Sequence, residues 1–149
     1  MEKLDEKDMK VLNLLRENAK LTTQQISKKT LIPVTTVYNR IKKMEKMGVI
    51  QKYTVDIDQK KIGKNIKAII LITVSYLLPN GRKISQTELA KKISKHPYAE
   101  NVDIVTGGTD IVLTVNVDSV EKLNDFIINE LREIDGIDKT QTMIVLSSF

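Results

Sequence analysis

The stretch PVTTVYNRIKKMEKMG, residues 33–48, decides how this chain is read. Val37, Ile41 and Met44 are spaced four and three apart, which is one buried stripe of a helix. Pro33 suits a first helical turn, because its missing N–H has no partner there anyway. Gly48 is a natural stop. With the stripe turned inward, Thr35, Thr36, Tyr38, Asn39, Arg40 and Lys43 lie on the outer faces. These are hydrogen-bonding and cationic side chains, the kind that reads base edges and phosphates of double-stranded DNA. Asn39 suits adenine, Arg40 guanine, and a threonine methyl the methyl of thymine. Lys28, Lys29, Lys42, Lys43 and Lys46 suit phosphates. The competing reading of each lysine is a solvated face, and Tyr38 has the alternative of packing on a neighbouring helix.

Moving toward the start, the residue before Pro33 is pushed out of the α region, so a preceding helix ends near Thr30. Thr22, with Gln25 three residues on, forms a capping box that opens this helix, and Ile26 is its inward residue. Before it, Met9, Val11, Leu12, Leu14 and Leu15 place an amphipathic helix over Asp5–Asn18, with Asp5, Glu6 and Asp8 suited to its dipole. Three short helices with a break before the last make a helix-turn-helix reading. Charge agrees with it. Residues 1–53 hold 12 Lys/Arg against 6 Asp/Glu, a net of +6, whereas residues 54–149 net −1. The excess positive charge of the chain, +5, therefore sits in its first third, and polyanion binding is the physical reading of such a split.

Moving toward the end, the period changes from helical to alternating. Tyr53, Val55 and Ile57 alternate with Thr54, Asp56 and Asp58, so Val49–Asp58 is expected to be a strand, and Gln59–Asn65 a connector. The rest reads as strand Lys67–Tyr76, helix Thr87–Ser94 with Leu89, Ala90 and Ile93 inward, strand Ala99–Thr106, a Gly107-Gly108 turn, strand Asp110–Val117, a helix from the cap Ser119 through Ile134 stopped by Gly136, and strand Ile137–Phe149. This βαββαβ order predicts an α+β fold whose second part is a ferredoxin-like α/β sandwich. Its helices cover one sheet face, and a second copy of the chain is the simplest cover for the other. The expected domains are a (winged) helix-turn-helix at 1–48, a strand and hinge at 49–65, and an assembly domain at 66–149.

Other classes of function have little support. The chain holds no cysteine, which removes disulfides, thiol catalysis and cysteine metal sites. The opening MEKLDEKDMK is charged rather than signal-like, and the longest apolar run, Ala68–Ile72, is far short of a membrane span. His96, the one histidine, precedes Pro97 at a helix end and reads as a terminus residue rather than a base. There is no P-loop, catalytic triad or metal cluster, so the expectation is a cytoplasmic protein that is not an enzyme, with no metal, cofactor or catalytic residue.

Three segments carry a resemblance that runs end to end. LDEKDMKVLNLLRENAK (4–20), TVYNRIKKMEKMGVIQKYTVDID (36–58) and VTGGTDIVLTV (105–115) resemble the opening helix, the recognition helix with its exit strand, and the glycine turn of the Lrp/AsnC, or feast/famine, regulators. The resemblance implies a transcription regulator with an N-terminal DNA-binding helix-turn-helix. Its C-terminal (RAM-type) domain would serve dimerisation, further assembly to a tetramer or octamer, and often amino-acid sensing. It also implies that Gly107, Gly108, Thr109 and Asp110 help hold a free amino acid at a subunit interface. Glycine N–H groups would receive its carboxylate and Asp110 its ammonium, and Thr140 and Thr142 would be offered from a neighbouring subunit. A plain hairpin turn stands beside that reading. The chain departs from the family pattern at Ser27 (usually Ala), Leu31 (usually Gly), Pro33 (usually a Ser cap) and Thr109 (often aromatic). Two alternatives stay open: an architectural DNA-binding protein of low sequence preference, and a stand-alone amino-acid-binding module.

Overall fold

The computed structural model describes residues 3–148, and the chain divides into two compact units that meet between Asp56 and Ile57. In the first unit, α1 (Glu6–Glu17), α2 (Thr23–Thr30) and α3 (Val34–Lys46) surround one small core of Val11, Leu15, Ile26, Ile32, Val37 and Met44. The capping box at α2 is formed as expected, with the Thr22 hydroxyl accepting from Gln25 N–H and the Gln25 side chain accepting from Thr22 N–H. Helix α2 ends on Leu31, whose φ of 58° is left-handed although it is not a glycine, and whose side chain is 90% exposed. A non-glycine residue held there stores strain in the turn, on the order of 1 kcal/mol. Pro33 then stands as the N-cap of α3 and offers no side-chain bond.

The segment Val49–Asp58 corrects an expectation. It is no strand: after a turn at Met47–Ile50 it runs as unpaired chain, with Tyr53, Val55 and Ile57 roughly half exposed or more. Alternation marks a one-sided segment, but a strand exists only where a ladder partner satisfies its backbone. Among the described residues, none pairs with this one. A 3-10 turn at Gln59–Ile62, capped by the Asp58 carboxylate, follows it.

The second unit is a four-stranded antiparallel sheet in the order β2-β3-β1-β4, built from β1 (Ile66–Val74), β2 (Ala99–Ile104), β3 (Ile111–Val117) and β4 (Ile137–Ile144). Helices α4 (Gln86–Ile93) and α5 (Val120–Asp125) complete the βαββαβ order. Strand alternation sends Ala68, Ile70, Ile72, Leu113 and Val115 to one face. There they share a core with Leu89 and Ile93 of α4 and Leu123 of α5, so this is the ferredoxin-like sandwich. The register leaves Ile69 opposite Met143 and Leu71 opposite Val112 on the other face, half-buried or exposed.

Strand β1 runs Ile66–Val74 rather than Lys67–Tyr76, β2 stops at Ile104 rather than Thr106, β3 starts at Ile111 rather than Asp110, and the bounds of α4, α5 and β4 differ as well. Helix α4 opens at Gln86 under the Ser85 cap, one residue early. Helix α5 does not run through Ile134: from Phe126 to Leu131 it continues as a π-helix, and Arg132 N–H reaches back to Ile127 C=O. Its wider turn brings Phe126, Ile127 and Leu131 all into the core. Strand β4 ends at Ile144, because β1 begins at Ile66 and supplies only one more acceptor, Lys67 C=O, to Val145 N–H. Phe149, the expected end of that strand, lies outside the described residues.

Candidate nucleic-acid and effector sites

Helix α3 buries Val37 and Met44 completely and turns its other sides outward. Thr35, Tyr38 and Asn39 are exposed, while Thr36, Arg40 and Lys43 are partly covered. Tyr38 does not pack inward. It is 53% exposed, with the Lys42 ammonium 5.9 Å from its ring centre. Thr36, Asn39, Arg40 and Lys43 line one shallow hollow of about 300 Å³, and the fifth residue of that hollow is Asp5.

Asp5 and Asp8 join this candidate site, and helix periodicity missed them. They form a reciprocal capping box on α1: Asp8 N–H donates to Asp5 Oδ1 at 2.8 Å, and Asp5 N–H to Asp8 Oδ2 at 3.0 Å. The same two carboxylates hold α3. Arg40 Nη1 donates to Asp5 Oδ1 and Oδ2 at 2.7 and 2.8 Å and to Asp8 Oδ1 at 2.6 Å, and Lys43 Nζ lies 3.3 Å from Asp8 Oδ2. Asp8 is fully buried. The Arg40 side chain is only 19% exposed, and its Nε is buried without a hydrogen bond. The acidic start of α1 was legible in the sequence as a dipole effect; the cross-link to α3, 35 residues away, was not.

These contacts shift both carboxyls below their ordinary range. Asp5 falls to about 2, held down first by the Arg40 hydrogen bond and next by Asp8 N–H. Asp8 is also lowered: burial, the largest influence, opposes this, but the hydrogen bonds from Asp5 N–H, Arg40 and Lys43 together outweigh it. A group whose pKa is lower folded than unfolded stabilises the fold above the unfolded value, and that contribution is lost as pH falls through the folded one. The lock should therefore be complete above pH about 4 and dissolve toward pH 2. A carboxyl ¹³C titration is expected to place Asp5 at about 2, and Arg40→Ala to raise it toward the ordinary carboxylate range without reaching it, because the Asp8 N–H bond remains. A wild-type midpoint at about 3.9, the ordinary value, would show that the ion pair does not form in solution.

In the second unit, Gly107 has a φ of 116° and both glycines are exposed, in a turn closed by Val105 N–H to Asp110 C=O. The Asp110 carboxylate is well used inside the chain. Oδ2 accepts Val74 N–H at 2.8 Å, while Oδ1 accepts the Tyr76 hydroxyl at 2.8 Å and Gln86 Nε2 at 2.7 Å. The Val74 N–H bond, followed by the Tyr76 bond, lowers its pKa. Three of roughly four acceptor directions are thus taken, which leaves one for an ammonium. Thr140 and Thr142 sit opposite Ile72 and Ile70, so both point to the helix-bearing face of the sheet. Thr140 accepts from Arg132 Nε, and Thr142 is exposed.

Known proteins match both units. Residues 4–51 fit the winged helix-turn-helix DNA-binding pattern, and residues 67–149 fit the Lrp/AsnC ligand binding domain. An uncharacterized HTH-type transcriptional regulator of Pyrococcus furiosus is 38% identical over 143 residues, covering 96% of this chain and 91% of its own length. The HTH-type transcriptional regulator FL11 of the same organism is 34% identical over 143 residues, covering 96% and 89%. The solved structure of E. coli AsnC superposes with a TM-score of 0.81 at 25% identity, covering 99% of this chain and 95% of that one. A Neisseria meningitidis transcriptional regulator solved as an L-Met complex superposes at 0.85 with 23% identity, covering 97% and 91%. With its basic three-helix unit, its ferredoxin-like unit and relatives along nearly its whole length, the chain belongs to the Lrp/AsnC family of transcriptional regulators.

Proposed function

We propose that this protein is a cytoplasmic, sequence-specific regulator, and not an enzyme, that lays α3 in the major groove of double-stranded DNA. The observation that carries this is one helix with a fully buried side and a polar side, where Thr35, Thr36, Tyr38 and Asn39 stand toward solvent beside a cationic surround. Residues 1–48 bind DNA, 49–65 link, and 66–149 assemble. A homodimer, growing to a tetramer or octamer, covers the apolar sheet face and pairs the orphan Val49–Asp58 segment. It presents two recognition helices about 10 base pairs apart, or a multiple of that. Its effector is a free amino acid at Gly107–Asp110, completed by Thr140 and Thr142 of a neighbouring subunit. The L-Met complex of the Neisseria relative supports that class of ligand.

A fluorescence-anisotropy titration tests this, using the duplex upstream of the protein's own gene, scrambled duplex as competitor, and pooled amino acids present or absent. The expected result is binding that resists the competitor and shifts with amino acids. Asn39→Ala should weaken the preferred duplex by 1–3 kcal/mol, roughly 5- to 150-fold, and leave scrambled duplex nearly unchanged. Equal displacement by scrambled duplex would instead support an architectural protein. One observation favours that second reading: Arg40, the lone arginine of α3, is engaged inside the protein.

A further inference from the structure

The hollow on the reading face of α3 is lined by two cations, Arg40 and Lys43, and one anion, Asp5, with the buried Asp8 carboxylate behind it as the second negative charge. Arg40 and Lys43 are matched by Asp5 and Asp8, so the place where base edges would enter is electrically balanced although the unit as a whole is basic. The unmatched charge lies elsewhere. Lys28 and Lys29 at the end of α2 and Lys46 at the end of α3 are exposed and make no ion pair among the described residues.

Resting on the DNA-binding reading above, we propose that Arg40 is a positioning residue, not a base reader, and that Asp5 is a specificity-determining residue that keeps phosphate out of the reading hollow. The geometry argues both halves. A guanidinium that reads guanine extends a free two-pronged fork toward O6 and N7. Here Nη1 spends its hydrogens on three carboxylate oxygens within 2.8 Å, and the group is four-fifths covered. Swinging it into a groove would strand the buried Asp8 carboxylate with only Lys43 opposite, a heavy desolvation cost. Arg40 therefore fixes the pitch of α3 on α1. Asp5 has the opposite exposure: 54% of its side chain faces solvent beside Thr36 and Asn39. A phosphate approaching that spot meets a carboxylate that already occupies the local cations. Phosphate contacts add affinity without sequence information. A carboxylate that discourages them at the centre of the face, while the lysines at the helix ends accept them, leaves the hollow to neutral readers. Asn39 and Thr36 suit adenine and thymine, so the sequence read is an A·T step rather than a guanine.

The test starts from a duplex enriched out of a random pool by the wild-type protein. It measures that duplex and a scrambled one by anisotropy over a salt series, with melting temperature recorded for each variant. Asp5→Asn keeps a good N-cap and removes one negative charge. It is expected to tighten scrambled duplex several-fold, to steepen the salt slope by about one, and to shrink the preference ratio. Unchanged or weaker binding of scrambled duplex would overturn the role of Asp5. Arg40→Met is expected to lower the melting temperature and weaken both duplexes by the same factor, and Arg40→Lys to restore most of both. A variant at Arg40 that loses only the preferred duplex while melting as wild type does would make Arg40 a reader after all. So would an enriched duplex whose half-sites share a guanine that Arg40→Lys ceases to prefer. Wild-type protein that binds neither duplex at moderate salt would overturn the DNA-binding reading itself, a result separate from either variant outcome.

Discussion

Replacing Asp8 with alanine is expected to cost the N-terminal unit about 3 kcal/mol, the scale found when one partner of a buried ion pair is removed. The carboxylate is completely buried, and three groups depend on it: Arg40 Nη1, Asp5 N–H and Lys43 Nζ. Alanine leaves the N-cap N–H of α1 without its acceptor and a mostly covered guanidinium with one partner instead of two. The unit has little to spare. Its core is six fully or nearly buried apolar side chains, and a domain of that size is typically stable by only a few kcal/mol. Native-state hydrogen exchange reads the two units separately. Amides of α1, α2 and α3 should lose protection by two orders of magnitude while those of β1 and β3 hold theirs. Asp8→Asn, which keeps an acceptor but not the charge, should lie between. Protection in α1 that survives Asp8→Ala unchanged would show the lock to be ornamental to stability.

The second large effect belongs to the other unit. Gly136→Ala is expected to destabilise the ferredoxin-like unit by about 3 kcal/mol, from left-handed strain of 1–2 kcal/mol and overpacking of 1–3 kcal/mol. Gly136 has a φ of 97°, and a β-carbon there would stand 2.8 Å from Ile84 Cγ2 and 3.2 Å from Leu89 Cδ1. Neither neighbour retreats easily, since Leu89 is fully buried on α4 and Ile84 packs against the same core. Its carbonyl also accepts Ser75 N–H at 2.8 Å, which ties the end of β1 to the start of β4. For a unit of this size the loss corresponds to a fall in melting temperature on the order of 15 °C, readable by calorimetry. Gly81→Ala is a matched control, with a φ of 79° but open space around the same β-carbon position. If the two variants melt alike, the close approach of Ile84 adds nothing.

Much of this was written in local patterns. The capping box of Thr22 and Gln25, the stripe Val37–Ile41–Met44 and the alternation of Ile111, Leu113, Val115 and Val117 each depend on neighbours within one turn or one strand. Each stands in the structure. The failures share a cause. Val49–Asp58 alternates like a strand yet has no ladder, because pairing belongs to two segments and one segment's pattern cannot supply the second. Gly136 reads as a helix stop, but α5 has already ended at Leu131, and the glycine answers to Ile84 and Leu89 instead. Asp5 and Asp8 read as dipole residues and turn out to hold Arg40.

The candidate sites divide in the same way. The order of elements, the basic character of the first third and the set of outward residues on α3 follow from periodicity, caps and charge, which are one-dimensional quantities. Tertiary structure alone decided which of those residues are at liberty. It left Asn39 and Tyr38 in solvent, closed Arg40 onto two carboxylates from another helix, and spent most of Asp110 on Val74, Tyr76 and Gln86. The reason is physical: a charged side chain is defined by what it faces, and what it faces is set by elements tens of residues away.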